Sequence, residues 1–264
     1  MMRSLYIAAT GMKALQTNLD VISNNLANVN TTGFKRGRAD FEDLLYQSAR
    51  PVGASTSTST ELSTGVYFGH GVRLASTSKL FTQGSATYTE NWTDMEIEGT
   101  GFFQVLLPDG RTAYTRDGAF KLNSSGILTT SDGNPVIPTI TVPSTAVSDT
   151  ISVSTDGIVT YQTAASTASV QAGQITLASF INPAGLQAVG SNLFLETSAS
   201  GTPTVGNANA NGLGAIQGGY LEVSNVNIVD ELVAMIVGQR AYEVNSKAIT
   251  TADQMLQTAN EVKR

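Results

Sequence analysis

The sequence predicts an α+β chain: a mainly-β central domain flanked by N- and C-terminal long helices that pair as a coiled coil. Three observations carry that expectation. Apolar residues recur at heptad spacing from Leu5 to Val29, and a second apolar stripe runs from Val229 to Val262. Between them, short β-branched runs alternate with Asp-Gly pairs.

The N-terminal element comes first. Leu5, Ala8, Met12, Leu15, Leu19, Ile22, Leu26 and Val29 alternate spacings of three and four, the narrow stripe of a coiled-coil seam. Lys13, Thr17, Asp20 and Asn24 lie on the opposite side. The pattern stops at Asn30-Thr31-Thr32-Gly33, where glycine terminates helices readily. A short second helix is expected over 39–47, with Phe41, Leu44 and Leu45 on one side.

In the middle, the runs at 102–107, 119–122, 151–153, 158–161, 174–180 and 192–195 read as strands. The Asp-Gly pairs at 109–110, 117–118, 132–133 and 156–157 supply the positive φ of tight hairpin turns. They lack the further acidic ligands of a calcium loop. The Ser/Thr tract at 55–60 and the Gly/Asn-rich stretch at 201–214 read as loops.

At the C-terminal end, Asn227 caps a long helix and places Asp230 and Glu231 in its first turn, where the helix dipole favours negative charge. Its apolar stripe is Val229, Val233, Val237, Ala241, Val244, Ala248, Ala252, Met255, Ala259 and Val262. Lys263 and Arg264 bring the favourable sign to the far end, and Gly238 marks close approach of a neighbour. The resulting domains are 1–45 with 226–264 as a helical coiled-coil unit, 46–65 as an extended segment, and 66–225 as a β-rich unit. A lone pair of helices is marginal, because ordering its backbone costs more than one seam returns. The helical unit should become firm only when neighbouring copies cover its remaining faces.

Chemistry is sparse. There is no cysteine, which removes disulfides, thiolate catalysis and cysteine-based metal sites. The single histidine, His70, lies between two glycines with no nucleophile motif beside it. Gly99-Thr100-Gly101 precedes an apparent strand, whereas a dinucleotide fingerprint follows one. Trp92 and the tyrosines are too scattered for a base-stacking platform, and the net charge of −6 argues against nucleic acid. No stretch is long and apolar enough to insert in a membrane, and no cleavable signal is expected at the N-terminus. The reading is a protein without cofactor, metal or catalytic residues.

Two stretches carry a family resemblance. Asn24-Asn25-Leu26-Ala27-Asn28-Val29-Asn30-Thr31-Thr32-Gly33-Phe34-Lys35 resembles the N-terminal signature of the flagellar rod and hook axial proteins. Ser224-Asn225-Val226-Asn227, with the run from Gln239 to Ala248, resembles their C-terminal signature. Gly101-Phe102-Phe103-Gln104-Val105 and Tyr114-Thr115-Arg116-Asp117-Gly118 resemble the central β domain. The short central region and the segment from Phe41 to about Leu62 are most like the distal rod members of that family.

The resemblance implies a structural subunit that self-assembles into a rigid helical tube, transmits motor torque to the hook and encloses the export channel. It implies export through the flagellum's own type III channel without signal cleavage, and a place in the periplasmic basal body. Its partners would be further copies of itself, proximal rod proteins, the hook protein and surrounding ring proteins. Contacts between copies are expected at Leu5, Met12, Leu15, Leu19, Ile22, Asn24, Asn25, Leu26, Asn28, Val29 and Lys35. On the second helix they are expected at Val233, Val237, Arg240, Tyr242, Val244 and Asn245. A proximal rod or hook subunit is the nearest alternative. A secreted β-rich adhesin leaves the heptads unexplained, and a peptidoglycan-cleaving enzyme lacks a catalytic carboxylate.

Overall fold

The computed structural model describes residues 2–53, 55–57, 60–61, 63–147, 150–163 and 166–262. The chain divides into two compact units. One comprises 27–36 and 79–226, the other 1–26, 37–78 and 227–264.

The first unit is mainly β. An antiparallel sheet runs in the order Gln187–Gly190, Leu193–Leu195, Thr112–Thr115, Phe102–Leu106, Thr176–Ser179, Thr204–Asn207, and Val136–Ile137 also pairs with Phe102–Leu106. The two-residue period of a strand sends neighbours to opposite faces. Phe103 and Leu177 therefore enter a large aliphatic core with Met95, Ile97, Phe120, Ile175 and Ile216. Phe102 and Ala178 enter a second cluster with Tyr114, Phe180 and Phe194. The aromatic rings there meet edge to face, with Tyr114 and Phe180 centred 4.8 Å apart and Phe102 and Phe180 5.8 Å apart. Both faces of the sheet are thus covered. Trp92 packs half-buried against the aliphatic core.

Of the Asp-Gly pairs, Gly110, Gly133 and Gly157 adopt positive φ, as tight turns require. Asp117-Gly118 does not. A Cβ on Gly118 would stand 1.6 Å from the Met95 carbonyl oxygen, so that glycine answers to a close backbone approach rather than to a turn.

The other unit holds α1 (Met2–Ala27) and α2 (Ile228–Val262). Asn227 caps α2 as expected: its side-chain oxygen accepts from Val229 N at 3.0 Å. Three contacts set α1 and α2 antiparallel. Asn25 Nδ2 donates to Glu231 Oε2 at 3.4 Å. A Cβ on Gly238 would stand 3.0 Å from Leu19 Cδ2, and one on Gly11 3.3 Å from Asn245 Nδ2. Both glycines let the helix backbones approach. Val29, read as the last heptad position, lies beyond the end of α1 in a turn.

The short helix expected at 39–47 is not formed. Gly37–Asp43 is a strand paired with Val72–Lys79, and Gln47–Arg50 pairs with Val66–Phe68. The physical reason is distant in sequence: strand partners some thirty positions downstream satisfy the backbone, which local propensity does not register. Ser55–Ser57 and Thr60–Glu61 form a further small pair. Residues 58, 59 and 62 of that region, and Lys263 and Arg264, lie outside the described residues. Among the described residues no helix is long and apolar enough to cross a membrane.

Candidate assembly surface

Two features stand out once the expected contact residues are located: a buried ionic junction in the β unit, and an open apolar face in the helical unit.

The junction begins where the N-terminal motif leaves α1. Residues 27–36 turn back on themselves (Thr31 N donates to Asn28 O, Phe34 N to Thr31 O) and then bind the β unit. Gly33, at φ +65, donates its N–H to Glu222 O at 2.8 Å. Lys35 is 1% exposed. Its ammonium donates to Glu222 Oε1 at 2.5 Å and to Thr82 O at 2.8 Å. Glu222, also 1% exposed, accepts from Gly84 N at 2.8 Å and lies 3.5 Å from Arg116 Nη1. Arg116 donates onward to the carbonyls of Ile97 and Gly99. Glu96, 2% exposed, accepts from Gln83 at 2.9 Å. Two cations and two carboxylates therefore share one desolvated site and balance in charge.

Burial leaves its mark on these groups. It pushes the Lys35 ammonium and the Arg116 guanidinium down from their ordinary values, against the upward pull of Glu222. It pushes the Glu96 carboxyl up, against the hydrogen bond from Gln83. A carboxyl whose folded value is raised contributes stability below the unfolded value and loses it as pH rises through the folded one. Wild type should therefore lose stability relative to Glu96→Gln as pH rises from about 4.3 through that window. Urea midpoints of the two proteins across pH 4–8 check the sign, and a gap that widens in wild type's favour contradicts it.

Lys35 was expected to reach a neighbouring copy; within the single chain its ammonium already pairs with Glu222. Asn25 likewise bonds within its own chain. It is 1% exposed, and its carboxamide donates to Gly37 O at 2.9 Å and accepts from Gly37 N at 2.7 Å. It acts as a clamp between the end of α1 and the following strand. Asn24 stays exposed, and Asn28 accepts from Thr31 Oγ1 at 3.2 Å. Leu5, Met12, Leu15, Leu19 and Leu26 are half-buried and Ile22 is buried. Asn245 is half-buried beside Gly11.

Most of the apolar stripe of α2 does not face α1. The side of α2 turned inward carries Glu231, Gly238 and Asn245, joined from the stripe by buried Ala252. Val229, Val233, Val237 and Val244 are 65, 55, 63 and 68% exposed, and Ile236 at 57% joins them. Tyr242 is exposed, and Arg240 pairs with Glu243 at 2.9 Å. Elsewhere in the same unit Leu45 and Tyr46 are open to solvent, and Arg3 lies 4.8 Å over the ring of Phe68. By contrast, all three hydrophobic clusters draw on the β unit. An apolar face of this extent on a helix is characteristic of an interaction surface.

Sequence reasoning missed Glu222, Arg116, Glu96 and Glu231 as partners. Arg116 was noticed only as a motif letter. No local signal marks Glu222, a charged residue in an ordinary alternating strand.

Comparison with known proteins bears on the same residues. A family model for flagella basal body rod proteins matches residues 5–35. One for the D1 domain of flagellar hook protein FlgE/F/G matches 96–161. One for the C-terminal region of flagellar basal body rod FlgEFG proteins matches 217–262. Lys35 falls in the first match, Glu96 and Arg116 in the second, and Glu222 in the third. The chain is 50% identical, over the full length of both, to the flagellar basal-body rod protein FlgG of Borreliella burgdorferi. It is 49% identical to that of Buchnera aphidicola, over 99% of this chain and 100% of the relative. Against that of Bacillus subtilis the identity is 40%, with both chains fully covered.

Proposed function

The chain belongs to the flagellar basal-body rod protein family, and from that premise we propose that its helical unit builds the wall of the distal rod by packing against further copies of itself. It is a structural subunit and not an enzyme, and the hook and proximal rod alternatives are not favoured. In this reading α1 and α2 pair as a coiled coil and line an inner tube around the export channel, while the β unit stands outside. The tube carries motor torque to the hook. Head-to-tail contacts that do not close on themselves generate such a helical assembly. Proximal rod proteins, the hook protein and ring proteins are its neighbours at the ends and outer face. The subunit reaches its periplasmic place through the type III channel, without signal cleavage.

The observation that carries the reading is the open face of α2 at Val229, Val233, Ile236, Val237 and Val244. A monomer gains nothing from holding it in water, whereas each such side chain returns about 1.5–3 kcal/mol when fully buried. Substitution there separates assembly from folding. The double change Val233→Asp and Val237→Asp is expected to abolish polymerisation of the purified chain, seen by sedimentation and negative-stain microscopy. The same protein should keep the wild-type thermal melt of its β unit. Polymers at wild-type yield would remove this face from the interface.

A further inference from the structure

We infer that residues 27–36 and the strand Tyr220–Glu222 form a bracket that stays closed in the free subunit and fixes the two points from which the terminal helices start. This rests on the assembly reading above, in which the helices gain their full order from neighbouring copies. Hydrogen bonds at four of its residues, Thr32, Gly33, Lys35 and Arg36, hold the segment to a unit that has its own core.

Thr32 Oγ1 donates to Asp117 Oδ1 at 3.0 Å, and Asn192 Nδ2 donates to Thr32 O at 2.9 Å. Gly33 N and the Lys35 ammonium both bind Glu222. Arg36 N donates to Asn225 Oδ1 at 2.7 Å, and Leu80 N to Arg36 O at 2.8 Å. Asn225 Nδ2 in turn donates to Leu80 O and Thr82 O. None of these groups belongs to a terminal helix.

The placement along the chain gives the bracket its role. Ala27 ends α1 and Asn227 caps α2. Lys35 follows the first by eight positions, and Glu222 and Asn225 precede the second by only a few. Closing Lys35 on Glu222 therefore tethers both helix origins to one rigid support. Two disordered helices tethered in that way see each other at an effective concentration on the order of millimolar, so pairing needs no search through solution. Gly33 is required at the centre, because any side chain there would strike the Arg116–Asp117 backbone. A subunit so built has its helix origins set before it meets a neighbour.

Hydrogen exchange on the full chain as a dilute monomer tests this. The amides of Gly33, Arg36, Leu80 and Gly84 should exchange about 100-fold or more slowly than those in the middle of α1 and α2, in step with Val105 and Leu177 of the core. Lys35→Met should release Gly33 and Arg36 by about 10-fold or more beyond any change at the core amides, which separates loss of the bracket from loss of the fold. If segment and helices exchange equally fast, the bracket is open in the monomer and the inference fails, with the assembly reading intact. If segment and helices are equally protected, the helices are already ordered alone; assembly-coupled ordering then fails and takes the inference with it.

Discussion

Glu222→Ala is expected to cost about 3–5 kcal/mol of stability in the β unit, the size seen when one partner of a buried ion pair is deleted. The reason is what remains. Lys35 and Arg116 would face each other at a site with almost no solvent access, Gly84 N would lose its acceptor, and Glu96 alone would oppose two cations. Urea denaturation followed by far-ultraviolet circular dichroism reads the loss. The deficit should shrink as pH rises into the alkaline range, because burial already holds the Lys35 ammonium below its ordinary value and its deprotonation removes one of the stranded charges. A neutral pair, Lys35→Met with Glu222→Gln, should cost less than the two single changes added, with a coupling of about 0.5–3 kcal/mol. A loss under about 1 kcal/mol for Glu222→Ala, the range of exposed pairs, would mean that water reaches the junction.

Gly33→Ala should be nearly as damaging, at about 2–5 kcal/mol, and for a different reason. The residue sits at φ +65, where an L side chain costs about 1–2 kcal/mol. Its Cβ would also stand 2.5 Å from Asp117 N and 2.7 Å from Arg116 C. Those are backbone atoms in the β unit and cannot rotate away as a side chain would, so the segment itself must lift, at a typical overpacking cost of about 1–3 kcal/mol. Lifting it breaks the Gly33–Glu222 hydrogen bond and draws Lys35 from its carboxylate. The expected signature is a lowered urea midpoint together with loss of hydrogen-exchange protection at Arg36 and Leu80. If Gly33→Ala melts like wild type, the segment does not lie against Asp117.

The sequence showed some of this and concealed the rest for identifiable reasons. The heptads of α1, the Asn227 cap, three of the four hairpin glycines and the six central runs read as strands were legible, because each depends on residues a few positions apart; other strands, Thr112–Thr115 and Thr204–Asn207 among them, were not. The function was legible through the motifs at both ends. The extent of the two compact units differs from the boundaries read at 45 and 225: the segment 27–36 divides with the β unit and 37–78 with the helices. The strand at Gly37–Asp43 was misread as helix because only its distant partner decides it.

By itself, then, the sequence determined the two terminal helices, the cap of the second and three of the four Asp-Gly turns, since periodicity, capping and glycine chemistry act locally. It also determined that an apolar stripe on the C-terminal helix exists. Only the tertiary structure decided which side of that helix meets α1 and which stays open. That choice turns on Gly11 and Gly238, where the absence of a side chain lets two helices approach. Only the tertiary structure, too, decided that Lys35 and Asn25 already bond within the chain. Charge and hydrogen-bonding capacity are visible in a sequence. Whether they are left for a partner depends on desolvation by residues about two hundred positions away, as Glu222 is from Lys35 and Glu231 is from Asn25.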